Sequence, residues 1–453
     1  METADPPRDA VNQQDGTRDN PRPTHPANSM PRRPFFYGYV IVAMCFLNLV
    51  VVGGLMAGFS VFNVALLEAF RWSRATTATI ASVNGVVYSA MAPVAGWAFD
   101  RLGPRIVMPL GLGLVGIGLV LASGGESLWQ FYLCYGLLAG FGIGCIDFVG
   151  TTAVLAHWFH RRRATAIGLA AMGLGVGIVI VPGVQILITG YGWRGAMMLL
   201  GVAILVAHVP LNALLQRRRP EDIGQLPDGG FIEAQARDAA AATRSARDAG
   251  HRDWTLKQTL SSLPFWSIAV GHLAVGTGIS LVYTHAVAHL IHAGLDKLAA
   301  ASAFGLVGVA RIPGTAIWGF ASDRIGRERA LGLATLMGMA GVGLLMVLGA
   351  DTPGWWSVAF ALLYGLGHSA SNPVYASTIA DIFWGRNVAM IVGLLEVTFG
   401  LGAALGTWFG GFAYDLTGSY RYAWVLELLC LVVIYASICA ALAWRRRSRP
   451  DPA

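Results

Sequence analysis

The chain has 453 residues, of which 55% are hydrophobic and only 13% are charged, and its formal net charge is +7. Because an ordinary soluble domain carries about 25% charged residues, this composition excludes one and favours a membrane protein. The 57 glycines agree with helices that pack closely in lipid, where small residues let backbones approach. All five cysteines lie in apolar stretches without metal-ligand spacing, so we predict no disulfide, no metal and no cofactor.

The chain begins with a polar segment, residues 1–34, which is rich in Pro, Asn and Asp. This segment lacks the apolar core and cleavage site of a signal peptide, so we expect a disordered cytoplasmic tail. Crossing the hydrocarbon takes about 20 apolar residues, and two sets of six stretches meet that requirement. We name them spans 1 to 12, near 37–62, 75–98, 105–123, 128–151, 164–188, 195–215, 264–292, 299–321, 329–349, 355–377, 388–412 and 422–444. The predicted fold is therefore an all-α membrane protein with twelve transmembrane helices in two six-helix halves.

A polar stretch at 216–262 separates the two halves and alternates Arg, Asp, Ala and Gly. We predict that it is a flexible cytoplasmic connector without chemistry of its own, in which 234–249 can form a short surface helix. The N-terminal bundle then comprises 35–215 and the C-terminal bundle 263–444. Residues 445–453 form a second cytoplasmic tail.

The basic residues predict which ends of the spans face the cytoplasm. With the N-terminus inside, the outer loops contain only Arg71, Arg74, Arg194, Lys297 and Arg421. The inner loops contain the groups 101–105, 161–163, 217–219 and 324–329, together with Arg386. The positive-inside rule therefore places both termini in the cytoplasm of a multi-pass protein of the cell (inner) membrane. Because topology explains the basic runs, we predict no nucleic-acid partner.

A short motif occurs after the second span of each half. Its first copy contains Gly96, Asp100, Arg101, Gly103 and Arg105, and its second contains Gly319, Asp323, Arg324 and Gly326. Duplicated membrane units of this kind are typical of transporters.

The motif, Gly-x-x-x-Asp-Arg-x-Gly-x-Arg, resembles the signature loop of the major facilitator superfamily. Further stretches resemble its monocarboxylate-transporter-like branch, which includes the oxalate/formate exchangers; they lie at 59–62, 71–74, 158–168, 192–195, 400–406 and 415–420. The resemblance covers about residues 35–444 and implies a secondary transporter that works by alternating access. It also implies that Asp100 and Asp323, with neighbouring arginines, act in gates, and that the motif glycines allow tight turns and close helix approach. The alternative is a purely structural role for these loops.

Arg311 is the only lysine or arginine inside a predicted span rather than at its end, and we predict that it binds substrate. A cation near the membrane centre costs at least about 2.5–3.5 kcal/mol, so it needs a partner, water or an anionic ligand. Pro313 follows closely, where a loosened backbone can line a cavity. The guanidinium matches a carboxylate, and the resemblance implies this role for an arginine in this helix. The alternative is a structural ion pair with Asp147 or Glu396.

Two departures from the family pattern narrow the substrate. The animal monocarboxylate carriers have a lysine in the first helix and an aspartate one turn before the arginine, whereas Ala57 and Val307 stand at those places here. The exchanger's lysine in the eleventh helix is not matched either, because that span contains Glu396. We therefore expect a substrate with one carboxylate, and the identity of the acid stays open.

Other ionisable residues within spans are candidates for proton coupling. Asp147 in span 4 and Glu396 in span 11 are acids that can take up and release protons, or can serve as structural hydrogen-bond acceptors. Glu427 lies near the outer end of span 12, and we predict that it is interfacial. A row of histidines on one face of span 7 comprises His285, His289 and His292. His285 is a candidate for substrate binding, gating or proton transfer, but the row has no companion carboxylate or cysteine that would favour a metal.

Four polar residues complete the predicted substrate cavity, with packing or an interfacial position as the alternative for each: Asn84 and Tyr88 on span 2, Tyr283 on span 7 and Asn372 on span 10. No set of nucleophile, base and metal ligands appears, so we do not predict an enzyme. We predict a secondary active transporter that moves a small organic anion, best a monocarboxylate, by proton symport or anion exchange, as a monomer in the bilayer. The alternatives are a multidrug or other efflux carrier of the same fold, and a transporter-like sensor that does not transport.

Overall fold

The computed structural model describes residues 35–229, 254–383 and 388–447, without the side chains of Asp100, Val388 and Ala389. The first tail, the predicted surface helix at 234–249 and Arg386 lie outside these residues. All regular structure in the described part is helical. In lipid the backbone must satisfy its own hydrogen bonds, and a helix does so within one segment.

The helices follow the predicted spans closely. The N-terminal bundle contains Gly38–Phe70, Arg74–Ala90, Ala92–Leu102, Pro104–Ser123, Leu128–Phe131, Tyr132–Ala139, Gly140–Ile146, Phe148–Trp158, Arg163–Val179, Val181–Ala203, Ile204–His208 and Val209–Leu215. Short helical turns at Pro220–Ile223, Pro227–Gly229 and Leu256–Leu260 belong to the connector. The C-terminal bundle contains Leu263–His292, Lys297–Ile325, Arg327–Val347, Trp355–His368, Ser371–Ile382, Val388–Thr417 and Arg421–Arg447.

Within the described residues, nine helices are long and apolar enough to cross a membrane, or ten if the bent pair of span 2 counts as one. Two further spans do not pass that test separately. Gly192, at φ 69°, divides the helical run Arg163–Leu215 into spans 5 and 6. A break at 369–370 divides span 10 into two shorter helices. With these, the twelve-helix fold in two halves is confirmed.

Span 12 is longer than predicted. It continues to Arg447 rather than ending at residue 444, so the first arginines of the predicted tail form its last turn. Cationic side chains are favourable there because the carbonyl end of a helix is partly negative.

Several spans are broken part-way along their length. Span 2 bends by 42° next to Met91. Span 4 contains a π-helical segment, Tyr132–Ala139, and is interrupted at Asp147, whose backbone is extended at φ −71° and ψ −178°. Interrupted backbone at membrane depth is tolerated where protein or a cavity satisfies it, so these breaks mark the inside of the bundle.

Three pairs of spans join the halves: spans 1 and 7, spans 2 and 11, and spans 5 and 8. Glycines bring some of these backbones together. A Cβ added at Gly308 would clash with the carbonyl oxygen of Gly175, so spans 5 and 8 approach closely at that level. The seam between the halves is thus formed by helices that also carry most of the predicted site residues.

Candidate functional site

Arg311 lies on span 8 and its side chain is partly exposed within the bundle. Its Nη1 donates a hydrogen bond of 2.9 Å to the hydroxyl oxygen of Tyr283 on span 7. No carboxylate of the described residues lies within 4.0 Å of its guanidinium, so the alternative of an ion pair is not what this structure shows. Pro313 lies inside the same helix and cannot donate to the carbonyl of Val309. The site therefore presents a cation that Tyr283 orients and no acid neutralises.

Span 10 provides the next polar groups around this cation. Tyr364 and His368 both interact electrostatically with Arg311, and their rings stack at 5.5 Å with an angle of 13°. The Tyr364 hydroxyl donates a 3.3 Å hydrogen bond to Oε1 of Glu427 on span 12. A chain of polar groups thus runs from Arg311 towards span 12.

The prediction that Glu427 is interfacial is wrong. Its side chain is fully buried, and its Oε2 has no hydrogen-bond partner. The carboxyl occupies the space that a side chain on Gly278 of span 7 would fill. Span 12 begins at Arg421, so Glu427 is almost two turns inside the helix, and sequence position alone did not show which face it was on.

A second polar group forms at the break in span 4. Asp147 is buried and precedes the half-helix Phe148–Trp158. Its carboxyl interacts with the Tyr88 hydroxyl of span 2 and, electrostatically, with Glu396 of span 11. The Tyr88 ring meets Phe399 edge-on at 6.4 Å. Asp147 and Glu396 therefore interact across the two halves, and the protonation of one carboxyl group affects that of the other.

The remaining predicted cavity residues are placed elsewhere. The side-chain nitrogen of Asn84 donates to the Tyr135 carbonyl at 2.8 Å, which fastens span 2 to span 4. Asn372 is exposed at the start of Ser371–Ile382, beside the break in span 10. His285 is fully buried two positions beyond Tyr283, so it points away from the Arg311 side of span 7. Its Nε2 lies 2.8 Å from the Thr407 carbonyl, and its ring lies 5.4 Å from Tyr420.

A contact across the halves lies at the outer end, the end that the charge pattern assigns to the outside. Asp415 of span 11 accepts hydrogen bonds from the backbone N–H groups of Arg74 (3.0 Å) and Ala75 (2.8 Å), which begin span 2. The Arg74 side chain bonds the Tyr420 hydroxyl at 2.6 Å and lies 3.9 Å from the Tyr414 ring centre. We call this set the outer latch.

Two further contacts hold the outer end. Lys297 of span 8 pairs with Glu68 of span 1 at 2.6 Å, which again joins the two halves. A Cβ on Gly411 would lie 2.5 Å from the backbone nitrogen of Ala75, so Gly411 permits the close approach of span 11 to span 2. The residues of the outer latch were present in stretches that resemble the family, but nothing in their spacing indicated that they meet.

The duplicated motif loops lie at the opposite, inner end. Gly103 (φ 75°) and Gly326 (φ 90°) adopt a backbone conformation that only glycine takes readily, and each begins the next helix. A Cβ on Gly96 would meet nothing within 4 Å, and one on Gly319 only Pro373 at 3.8 Å, so neither glycine serves a close approach in this state.

The charged motif residues have local partners. Arg101 lies over Trp97, Arg324 lies over Phe320, and Arg105 donates to the Ala213 carbonyl. Asp323 is largely exposed and lies 3.5 Å from Arg327 of its own half. The side chain of Asp100 is outside the described set. The described charges of these loops thus make no ion pair between the halves, in contrast to the outer end.

Among the described residues, no group of three or more His, Cys, Asp or Glu could hold a metal ion. The five cysteines are free.

Comparisons with known proteins agree with this architecture. The family model of the Major Facilitator Superfamily matches residues 44–383 and 309–453. Monocarboxylate transporter 13 of Bos taurus is 30% identical over 392 residues, which cover 86% of each chain. Monocarboxylate transporter 11 of Homo sapiens is 30% identical over 399 residues, covering 86% of this chain and 80% of its own.

Solved structures share the fold at lower identity. A bacterial homolog of the human lysosomal transporter Spinster, in an inward-facing and unoccupied conformation, aligns with a TM-score of 0.64 and 18% identity over 92% of this chain and 99% of its own. The D-xylose-proton symporter aligns with a TM-score of 0.65 and 15% identity over 88% of this chain and 97% of its own.

Proposed function

The chain belongs to the Major Facilitator Superfamily, as a monocarboxylate-transporter-like member, and we propose that it carries a small organic anion with one carboxylate across the cytoplasmic membrane. Its family consists of solute transporters rather than enzymes. The observation that supports the substrate class is the partly exposed guanidinium of Arg311, which has no described acid beside it.

Arg311 is suited to one carboxylate. Its planar fork can donate two parallel hydrogen bonds to a carboxylate, while Tyr283 occupies one N–H and fixes the plane of the fork. Apart from arginines at their ends, the predicted spans contain no second lysine or arginine, so a dicarboxylate would leave one charge without a partner. The described environment therefore favours a monocarboxylate.

Proton coupling is proposed at the pair formed by Asp147 and Glu396. These acids come from different halves and interact with each other, and the Tyr88 hydroxyl interacts with Asp147. Any movement that separates the halves must change this pair, because spans 4 and 11 belong to different bundles. A proton bound here would thus be sensitive to the conformational state. His285, which lies at the outer end next to Tyr420, is a candidate for gating rather than for substrate contact.

Alternating access follows from the two ends of the bundle. The outer latch joins the halves in this structure, whereas the described charges of the motif loops do not. We infer that this is a state closed to the outside, and that rocking of one bundle against the other exposes Arg311 to alternate sides. Both termini lie on the cytoplasmic side in this proposal, as the basic loops favour.

The test is uptake of labelled lactate, pyruvate and oxalate into proteoliposomes, with and without a pH gradient. Truncating one partner of a desolvated charge pair costs about 2–5 kcal/mol, so Arg311→Gln should lower monocarboxylate uptake by at least about 30-fold. Arg311→Lys keeps the charge but loses the planar fork of donors, so it should retain only part of the monocarboxylate uptake. Arg421→Gln, which removes an exposed arginine at the outer start of span 12, is the matched control.

The two parts of the proposal can fail separately. If Arg311→Gln transports like Arg421→Gln while both remain folded, the carboxylate assignment is wrong. Asp147→Asn should abolish uptake driven by the pH gradient but retain exchange of labelled for unlabelled substrate. Gradient-driven uptake that survives in Asp147→Asn would remove the proton role and leave substrate binding intact. Binding without accumulation by the unmodified protein would identify a sensor.

A further inference from the structure

A basic cup lies at the inner end of the C-terminal bundle. It has a volume of about 290 Å³ and is formed by the loop between spans 8 and 9 and by the ends of spans 10 and 12. Its charged residues are Arg327, Glu328, Arg329, Asp381, Arg445 and Arg446. The four arginines outnumber the two acids, so the cup carries a net positive charge that suits an anion.

Ion pairs occupy three of these arginines. Asp381 lies 2.6 Å from Nε of Arg327 and 3.5 Å from Nη1 of Arg445. Glu328 accepts two hydrogen bonds from Arg446, at 3.0 and 2.8 Å. Both carboxylates of the cup are therefore engaged in ion pairs with these three arginines.

Arg329 is different from the other three arginines. Its side chain is exposed, and its guanidinium makes no ion pair or hydrogen bond with any residue that the structure describes. It also lines a second cavity that adjoins the cup. The free positive charge is therefore at the boundary between the two cavities.

The second cavity is an apolar groove between spans 9 and 12, with a volume of about 600 Å³. At its charged end Arg329 lies with Glu328, whose carboxylate pairs with Arg446, and further in the lining includes Leu333, Leu336, Met339, Val432 and Tyr435. Leu336 is 64% exposed and Val432 is 48% exposed, as expected for side chains that face acyl chains on membrane-crossing helices. Ten residues of helix separate Arg329 from Met339, so the groove runs about 15 Å into the hydrocarbon.

A glycine gives the groove its depth. A Cβ added at Gly332 would lie 3.2 Å from Cε2 of the Tyr435 ring, so any larger residue would press on that ring. The Tyr435 ring on span 12 and the backbone of span 9 at Gly332 thus form the two walls of the groove next to Arg329.

We propose that this cup and groove form a binding site for an anionic phospholipid. The lipid phosphate would bind at Arg329, beside Arg446, and its acyl chains would lie between spans 9 and 12. A basic cluster at the membrane surface attracts anionic headgroups, and the adjoining apolar groove distinguishes a lipid from a soluble phosphate. The site belongs to the C-terminal bundle alone and does not depend on the transported substrate.

The test is native mass spectrometry of the detergent-solubilised full chain, titrated with phosphatidylglycerol or with phosphatidylcholine of the same acyl chains. Phosphatidylglycerol should bind more tightly than phosphatidylcholine. Arg329→Gln should weaken the binding of phosphatidylglycerol about five-fold, which is the effect of about one basic residue near a membrane surface. Arg421→Gln, on the far side of the membrane, should leave it unchanged. Met339→Trp fills the deep end of the groove and should weaken both lipids alike.

Three results would overturn the proposal. The first is equal affinity for the two lipids, and the second is an Arg329→Gln variant that binds phosphatidylglycerol like Arg421→Gln. The third is displacement of bound phosphatidylglycerol by millimolar inorganic phosphate, which would identify a site for small anions instead. Because Arg329 is exposed, its variant should elute as the same monodisperse species as the unmodified protein.

Discussion

Removal of the Asp415 carboxylate should shift the protein towards a state that is open to the outside. Asp415 accepts the backbone N–H groups of Arg74 and Ala75 across the two halves. Asp415→Ala removes both acceptors and the negative charge that favours the N-terminus of span 2. Span 2 keeps its own cap, because Ser73 accepts from the Thr76 N–H, so the helix itself should remain.

The size of the shift follows from capping energies. Losing a capping side chain costs about 0.5–2 kcal/mol, and a charge at a helix N-terminus contributes about 0.3–1 kcal/mol. Asp415 is exposed, so solvent screening keeps the combined effect near about 1–2 kcal/mol. Since 1.4 kcal/mol is a tenfold change, the ratio of outward-open to outward-closed molecules should rise about 5- to 30-fold.

Spin labels can measure this ratio. Glu126 in the N-terminal bundle and Asp351 in the C-terminal bundle are exposed in outer loops, and labels attached there would report the opening of the outer end. The native cysteines are replaced first. In Asp415→Ala the population of long distances should increase, while the unmodified protein keeps mainly short ones.

Asp296 provides the matched control. It also accepts two backbone N–H groups at the start of a helix on the outer end, but those groups, of Leu298 and Ala299, belong to its own span. Asp296→Ala should therefore lower the stability of span 8 without changing the distances between the halves. If Asp415→Ala leaves the distances unchanged, or Asp296→Ala shifts them equally, the outer latch does not hold this state.

Two other substitutions test the inner end and the buried acid. A Cβ added at Gly96 meets no atom within 4 Å here, so the melting temperature of Gly96→Leu should be unchanged. Closing the inner end presses this helix on span 11, so the larger side chain should cost about 1–3 kcal/mol in that state and lower uptake about tenfold. Normal uptake by Gly96→Leu would contradict this. Glu427→Gln retains an acceptor for the Tyr364 hydroxyl, whereas Glu427→Ala leaves that buried hydroxyl without a partner. The lost hydrogen bond costs about 1–3 kcal/mol, so the melting temperature should fall in Glu427→Ala but not in Glu427→Gln. Equal melting temperatures for the two variants would mean that this hydrogen bond does not stabilise the bundle.

The sequence could predict the helices because hydrophobicity decides them locally. Apolar runs of sufficient length must be helical in lipid, and this holds for spans 1, 7 and 12 without reference to their neighbours. Breaks were harder to predict. Gly192 lies in a stretch already identified with a loop, but Asp147 interrupts span 4 within an otherwise apolar run, and nothing local distinguishes it from a residue in a continuous helix.

The candidate site also has a part that the sequence could predict and a part that it could not. Arg311 was identifiable because a cation within a span is rare and costly, and the sequence alone shows that. Its bond to Tyr283 depends on how spans 7 and 8 rotate against each other, which is decided by packing over their whole length. The burial of Glu427 and the meeting of Asp415 with span 2 are also consequences of rotation and packing. The sequence therefore indicated which residues are chemically special, but not which of them meet.

One consequence concerns coupling between substrate and proton. Arg311 has no described acid beside it, and the pair of Asp147 and Glu396 interacts across the seam without a described link to Arg311. Direct exchange of charge between the two sites is therefore not required by this geometry. Both sites nevertheless change their surroundings when the halves move, because each lies on helices of the seam.

Desolvation can then couple the two sites at a distance. Closing the inner end would exclude water from an empty Arg311, and a cation in the bilayer interior costs at least about 2.5–3.5 kcal/mol. A bound carboxylate neutralises that charge, and a bound proton does the same for one of the two acids. The closing movement is thus least costly when both sites are loaded, and more costly when either is loaded alone. Coupling between the two sites would arise from this shared requirement for neutrality, without any contact between the substrate and the proton.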